Sequence, residues 1–247
     1  MELDHQSSPS RLLSNLFWKM LSWQKILAEL NEIRILDIGC WSGTYAETLE
    51  QFIGPPLSGY TGLDVAPSEN WQSLMRGRAH FSFATYDGRS LLHAIPRGTT
   101  FIMSQSALEH IEEDVGIFTE INEYIESFGR PVLQVHLFPS QVCHSLYPWH
   151  GIRQYTPRTA SKLLHALAGE FYAILFTLGG KACNTLHYNY ITKPFFREQR
   201  DDLRYVKPDE YARELEAAVL EDMQAPSGDP SFYALVIHHN FTASIVT

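Results

Sequence analysis

Apolar residues along the chain fall into short runs that alternate with segments of helical spacing. The short runs predict seven strands, over residues 33–38, 59–64, 79–85, 100–104, 132–138, 171–177 and 232–238. Helical spacing predicts helices between most of them, over residues 44–52, 68–76, 114–126, 157–168 and 208–224. Strands joined by single crossover helices form right-handed βαβ units. The pattern therefore predicts an α/β fold with a doubly wound, mostly parallel seven-stranded sheet.

Two segments lie outside this alternation. Helical spacing before the first strand predicts an N-terminal helical cap, which we assign to residues 1–32, with a single domain over 33–247. Residues 179–207 are aromatic and polar, and they are too long for an ordinary connection of ~2–6 residues. They predict an inserted lid over a binding pocket, or alternatively an arm in a homodimer. We expect its rings to be covered, because large apolar groups are unfavourable in water; these rings are Tyr188, Tyr190, Phe195, Phe196 and Tyr205.

Composition and charge exclude several classes of protein. The 28 acidic and 19 basic residues give a net charge of −9, and no basic stripe indicates a nucleic-acid partner. The three cysteines are far apart, so neither a disulfide framework nor a metal site is predicted. The N-terminal sequence lacks the order of a signal peptide, and no apolar run approaches the ~20 residues that span a membrane. We therefore expect a cytoplasmic protein with no membrane partner.

A turn containing two glycines follows the first predicted strand, within residues 35–44. Strand, glycine-containing turn and helix in this order form the place where doubly wound folds bind nucleotides. We expect Gly39 to turn the chain and Gly43 to let the backbone approach a ligand closely. Asp64 ends the second predicted strand, 21 residues after Gly43. A carboxylate at that place can accept hydrogen bonds from both hydroxyls of an adenosine ribose.

Trp41 indicates which of two classes of ligand binds at such a turn, a dinucleotide or a nucleoside with a methionine tail. A dinucleotide fingerprint, G-x-G-x-x-G, needs a small middle residue beside the pyrophosphate. Trp41 occupies that middle position and the third glycine is missing, so an NAD-type oxidoreductase is disfavoured. Asp37, before the first glycine, suits the α-amino group of a methionine tail better than a phosphate.

These residues resemble motifs of the class I S-adenosylmethionine-dependent methyltransferases. LDIGCWSGTY resembles the first motif of that family and GLDV the second, and segments 85–88, 106–111 and 155–171 resemble later motifs in the same order. The resemblance implies a Rossmann-like methyltransferase fold, S-adenosyl-L-methionine as cofactor and S-adenosyl-L-homocysteine as product. A non-catalytic scaffold that keeps this fold is the alternative. The residues that we assign to cofactor binding are Asp37, Gly39, Cys40, Trp41, Gly43, Asp64, Asp87 and Ser104.

Residues after the middle strands are candidates for the acceptor side. Methyl transfer needs an in-line alignment, and a hydroxyl acceptor also needs a base. The candidate catalytic residues are Glu109, His110, His136 and His150. Pocket lining is the alternative role for the first two, and His136 alternatively is a buried core histidine. The candidate substrate-binding residues are Arg153, which would hold an anionic group, and Tyr155, Tyr188 and Tyr190. We expect the acceptor to be an oxygen of a small molecule, such as a saccharide or a phosphorylated metabolite.

Overall fold

The computed structural model describes residues 6–55, 57–198 and 201–240 and divides them into two compact units. The larger unit comprises the described residues within 21–138, 157–175 and 235–240. The smaller unit comprises those within 6–20, 139–156 and 176–234. The segment 179–207, which the sequence marks as an insert, thus belongs to the same unit as the first helix.

A sheet with seven strands runs through the described residues, in the order β3-β2-β1-β4-β5-β7-β6. The strands are β1 (Ile33–Ile38), β2 (Leu57–Asp64), β3 (Phe81–Thr85), β4 (Phe101–Gln105), β5 (Val132–Pro139), β6 (Phe171–Leu178) and β7 (Phe232–His239). The pairs β3–β2, β2–β1, β1–β4 and β4–β5 are parallel. The predicted doubly wound, mostly parallel sheet is therefore confirmed.

Ten α-helices accompany the sheet in the described part of the chain. They are α1 (Pro9–Met20), α2 (Trp23–Leu30), α3 (Thr44–Ile53), α4 (Asn70–Met75), α5 (Asp114–Phe128), α6 (Cys143–Leu146), α7 (Pro157–Leu164), α8 (Lys181–His187), α9 (Leu203–Val206) and α10 (Pro208–Gln224). Each residue of β4 and β5 is buried, as expected for central parallel strands with helices on both faces. None of these helices has the length and apolar character that crossing a membrane requires.

The order of the strands reverses between β1 and β4. From β1 the sheet continues through β2 to β3, and from β4 it continues in the other direction to β5. The carboxyl ends of β1 and β4 therefore form the topological switch point of the sheet. Ligands of open α/β sheets bind in the crevice at such a point.

The segment predicted as a lid is helical and forms part of the core of the smaller unit. It consists of α8, a π-helix (Tyr188–Arg197) and α9. Buried residues of this segment, such as Leu186 and Tyr190, pack with Tyr211 and Leu215 of α10. The Tyr190 ring lies 5.2 Å from the Tyr211 ring, centroid to centroid. The segment is thus a structural part of its unit.

A single chain buries some of the rings of this segment and leaves others exposed. Phe195, Phe196 and Tyr205 are exposed by 59%, 37% and 62%. Tyr190 is buried, and its hydroxyl donates a hydrogen bond to Glu210 at 3.0 Å. Tyr190 therefore stabilises the unit, while a single copy leaves the other three rings exposed.

Candidate functional site

The turn between β1 and α3 lies at the switch point and is held by backbone hydrogen bonds. The N–H groups of Gly39 and Cys40 both donate to the Leu63 carbonyl, at 2.8 and 3.0 Å. Gly39 has a positive φ of +73°, and a Cβ there would lie 2.5 Å from the Cβ of Ala107, which follows β4. Only glycine fits this position, because the turn after β1 lies directly against the loop after β4.

Gly43 precedes α3 with a φ of +77°. A Cβ there would lie 2.5 Å from the Phe83 ring and 2.9 Å from Leu74. The sequence suggests that this glycine makes room for a ligand. In the structure the room is filled by the protein's own side chains, so packing and backbone conformation explain the glycine. Its assignment to cofactor binding stays a prediction.

Backbone strain in the described chain concentrates at the switch point. Positive φ occurs at four described residues other than glycine. Asn31 and Asn240 are asparagines, which tolerate this conformation. The other two are Trp41 (φ +46°), after β1, and Ser106 (φ +51°), after β4. Strained residues tend to cluster at functional sites, so their position marks this edge of the sheet as the candidate site.

Asp64, at the end of β2, holds the turn through the backbone of Trp41. Its Oδ2 accepts a hydrogen bond from the Trp41 N–H at 2.7 Å. On the other side, the Trp71 indole N–H donates to the Trp41 carbonyl at 2.8 Å. A carboxylate has about four lone-pair sites, so the half-buried Asp64 retains capacity to accept further hydrogen bonds. This residue therefore fits the ribose contact that the sequence predicts.

Asp37 is a buried carboxylate that lacks one hydrogen-bond partner. It is 2% exposed, and its Oδ2 accepts a hydrogen bond from the Tyr60 hydroxyl. Its Oδ1 has no partner in the part of the chain that the structure describes. Burial raises the pKa of Asp37 to about 7, although the Tyr60 bond opposes this rise. An unsatisfied buried oxygen is unfavourable, so Asp37 fits a positively charged donor such as an ammonium group.

The three remaining cofactor candidates have different surroundings. Cys40 is half-buried, and burial together with the Asp37 and Asp64 carboxylates raises the pKa of its thiol. Asp87 is exposed after β3, where it accepts a hydrogen bond from the Arg89 N–H at 2.9 Å. Ser104 is completely buried within β4. Cys40 is thus part of the turn itself, whereas Ser104 is enclosed within the sheet.

His136 belongs to a chain of buried polar side chains across the sheet. Its Nδ1 lies 2.9 Å from the Ser104 hydroxyl and its Nε2 lies 3.1 Å from Oε1 of Gln134. The amide nitrogen of Gln134 is in turn 2.8 Å from Nε2 of His239. Burial lowers the pKa of His136 to about 3. Both ring nitrogens are therefore engaged and the ring is neutral, which favours the alternative of a core histidine.

Glu109 and His110 lie in a single turn of 3₁₀-helix, Leu108–His110, directly after β4. Glu109 is buried and His110 is exposed. Both belong to the larger unit, whereas His150 and Arg153 belong to the smaller one. The roles of all four stay predictions.

A cavity of about 420 Å³ brings together candidate residues of the smaller unit. It is lined by Gln141, His144, Pro148, His150, Gly151, Ile152, Arg153 and Gln154. The Gln154 amide donates to the His150 carbonyl at 2.7 Å, and its Oε1 is buried without a partner in the described chain. The polar lining residues are histidines, an arginine and glutamines, which suit an anionic or hydroxyl-rich ligand.

The tyrosines assigned to substrate binding do not line this cavity. Tyr155 is 1% exposed, and its N–H donates to the Pro139 carbonyl at 3.1 Å. Tyr190 is packed in the core described above, and Tyr188 is half-buried in the π-helix. His144 and Gln154 line the cavity without having been assigned.

Sequence reasoning also missed Tyr60 and Trp71. Tyr60 donates to Asp37, and Trp71 donates to the backbone of Trp41. Both rings occupy apolar positions in predicted elements, so their pattern indicates core residues. Only the polar ends of these side chains contribute to the site, and no local motif distinguishes them.

Comparison with known proteins supports the fold. No family model matches the chain, and no curated protein matches it in sequence. The plantazolicin methyltransferase BamL, in complex with a triazolic desmethylPZN analogue and SAH, aligns with a TM-score of 0.57 and 14% identity over 93% of this chain and 85% of that one. An S-adenosylmethionine-dependent methyltransferase from Mesorhizobium loti aligns with a TM-score of 0.50 and 15% identity, over 88% of this chain and 96% of that one. The [4+2]-cyclase SpnF aligns with a TM-score of 0.51 and 17% identity, over 84% of this chain and 74% of that one. The chain has the fold of these proteins.

Proposed function

We propose that this protein binds S-adenosylmethionine and transfers its methyl group to an oxygen of a small-molecule acceptor. One observation carries the proposal: the turn after β1 is held in a strained conformation at the switch point of the sheet, with Asp37 and Asp64 beside it. Two methyltransferases of known structure share the fold. The cyclase with the same fold shows why binding and methyl transfer need separate tests.

The carboxylates at the turn would hold the two ends of the cofactor. Asp64 fixes the turn through the Trp41 N–H and would accept hydrogen bonds from ribose hydroxyls. The unsatisfied Oδ1 of Asp37 would accept from the ammonium of the methionine part. When bound, the cofactor supplies an electrophilic methyl group on a positively charged sulfur. The protein residues then only need to bind the cofactor and the acceptor, orient them, and remove the proton of the acceptor.

The cavity of the smaller unit supports an acceptor with an anionic group. Arg153 and His144 would bind a carboxylate or phosphate, because both present hydrogen-bond donors and no carboxylate is among the lining residues of this cavity. A hydroxyl acceptor must lose a proton. His150 is the better candidate base, because it is half-buried at the cavity, whereas His136 is completely buried within the sheet.

Calorimetric titration with S-adenosylhomocysteine tests the cofactor half of the proposal. We expect the unaltered protein to bind it and not NADH, and Asp64→Ala to bind at least about tenfold more weakly, since each hydrogen bond to a charged acceptor contributes roughly 1.5–3 kcal/mol. Asp229→Ala, which removes an exposed carboxylate of the smaller unit, is the matched control. Unchanged affinity in folded Asp64→Ala would remove this residue from the site.

Radiolabelled methyl transfer to a metabolite collection tests the second half. The collection should pair hydroxyl compounds that carry a carboxylate or phosphate with their uncharged counterparts. Labelling of the anionic members supports the proposed acceptor class. Cofactor binding without labelling of any compound would favour the non-catalytic scaffold.

A further inference from the structure

Trp41 combines two features that are unfavourable in the free protein. Its backbone is left-handed, with a φ of +46°, and its side chain is 78% exposed. A glycine at this position would remove the strain and the exposed apolar surface together. Stability alone therefore does not explain a tryptophan here. An observed backbone outlier of this kind is a ground for a hypothesis of function.

The backbone of Trp41 is fixed from both sides, while its ring is left in solvent. Asp64 accepts from its N–H at 2.7 Å, and the Trp71 indole donates to its carbonyl at 2.8 Å. The ring of Trp71 is itself stacked on Phe83 at 5.4 Å, so that the anchor is part of a packed layer. The conformation of Trp41 is thus imposed by its neighbours, and the exposed indole sits at the end of β1.

The turn that carries Trp41 lies beside two carboxyl groups. Asp64 accepts a hydrogen bond from the Trp41 N–H, and Asp37 lies in β1, four positions before Trp41. Burial raises the pKa of the Cys40 thiol next to Trp41, and the Asp37 and Asp64 carboxylates raise it further. The face of an indole attracts cations, and nearby carboxylates strengthen this attraction. Together these groups favour a ligand with a positive charge.

We propose that the exposed indole of Trp41 recognises the positive charge of the sulfonium and so makes the site prefer the charged cofactor to its neutral product. This inference rests on the proposed function. When the methyl group leaves, the electron pair of the carbon–sulfur bond stays on sulfur, and the sulfur becomes neutral. A cation–π contact is therefore lost at that moment, which favours release of the product over the cofactor.

The test compares three ligands by calorimetry without an acceptor. They are S-adenosylmethionine, its amine analogue sinefungin, and neutral S-adenosylhomocysteine. We expect the unaltered protein to bind the two charged ligands more tightly than the neutral one. In Trp41→Leu this preference should fall by about 2- to 30-fold, which corresponds to the cation–π range. Trp41→Phe, which keeps an aromatic face, should retain most of it.

Two control variants establish whether the preference depends on the ring of Trp41. Trp149→Leu removes another highly exposed indole, in the smaller unit, and should leave the preference unchanged. Trp41→Gly should raise the melting temperature and lower the preference, because the strain and the ring disappear together. An unchanged preference in folded Trp41→Leu would overturn the inference and leave the proposed function standing. Failure of the unaltered protein to bind any of the three ligands would overturn the proposed function itself.

Discussion

Replacing Asp37 with asparagine is expected to stabilise the ligand-free protein increasingly as the pH rises from about 4 to about 7, and to change it little below pH 4. Burial raises the pKa of this carboxyl from 3.8 to about 7. Below pH 3.8 the group is protonated in both the folded and the unfolded chain, so the stability of the folded protein is not reduced by this carboxyl group there. Between that pH and 7 the unfolded chain ionises while the folded chain stays protonated. Stability is therefore lost as the pH rises through this window.

The size of the loss follows from the two pKa values. Each pH unit of difference corresponds to about 1.4 kcal/mol, so the rise from 3.8 to about 7 corresponds to roughly 4 kcal/mol near pH 8. Asparagine has nearly the same shape, carries no charge at any pH, and can still accept the hydrogen bond from Tyr60 through its carbonyl oxygen. Asp37→Asn should therefore recover most of this free energy near pH 8 and little near pH 4.

Urea unfolding of both proteins at several pH values between 4 and 8 measures the effect. The difference in the free energy of unfolding should widen from pH 4 to about pH 7 and level off above it, with similar denaturant slopes. Asp87→Asn, at an exposed carboxylate, controls for the loss of one negative charge. Parallel pH profiles for the unaltered protein and Asp37→Asn would refute the argument that burial governs this group.

Two further predictions concern packing and the exposed rings. Gly43→Val should lower the melting temperature by several degrees, since overpacking costs about 1–3 kcal/mol and the added carbon would overlap the Phe83 ring; a parent-like melting curve would contradict the packing at this glycine. The double change Phe195→Ser and Phe196→Ser should convert a dimer to a monomer by light scattering if the segment is an arm, because these rings are exposed in one chain. A monomer in both proteins, with turnover lost only in the variant, would favour the lid.

The strand–turn–helix around Asp37 could be predicted because its signal lies in consecutive residues. A short apolar run, two glycines and a helical pattern follow one another within residues 35–52, and the acid at Asp64 ends the next strand. The contacts that make this turn unusual join residues far apart in the chain. Tyr60 reaches Asp37 across 23 positions, and Trp71 reaches Trp41 across 30. The periodicity of apolar residues along the chain does not show which distant residues contact each other, so these pairs become visible only in the folded structure.

The segment over residues 179–207 shows that a local sequence pattern can also fail to predict the secondary structure itself. Its mixture of aromatic and polar residues, with Pro194 inside, is typical of a loop, yet the structure has an α-helix over Lys181–His187 followed directly by a π-helix over Tyr188–Arg197. Packing on α10 stabilises this helix more than its own propensities do, because most helical stability in proteins comes from tertiary contacts. A consequence is that deleting the segment would expose the core of the smaller unit, so point changes at its surface are the sounder test of its role.

Asp37 and Trp41 are both unfavourable in the free protein, and they lie four positions apart, Asp37 in β1 and Trp41 in the turn that follows it. A buried carboxylate without a full set of partners and a strained, exposed indole each lower stability. A single ligand with an ammonium and a sulfonium group would relieve both, since each residue then meets a positive charge. If this is correct, Asp37→Asn and Trp41→Gly should each raise the stability of the free protein and lower the stabilisation that the charged cofactor adds. The prediction is contradicted if these variants gain stability and keep the full ligand-induced rise in melting temperature, because strain and binding would then be independent.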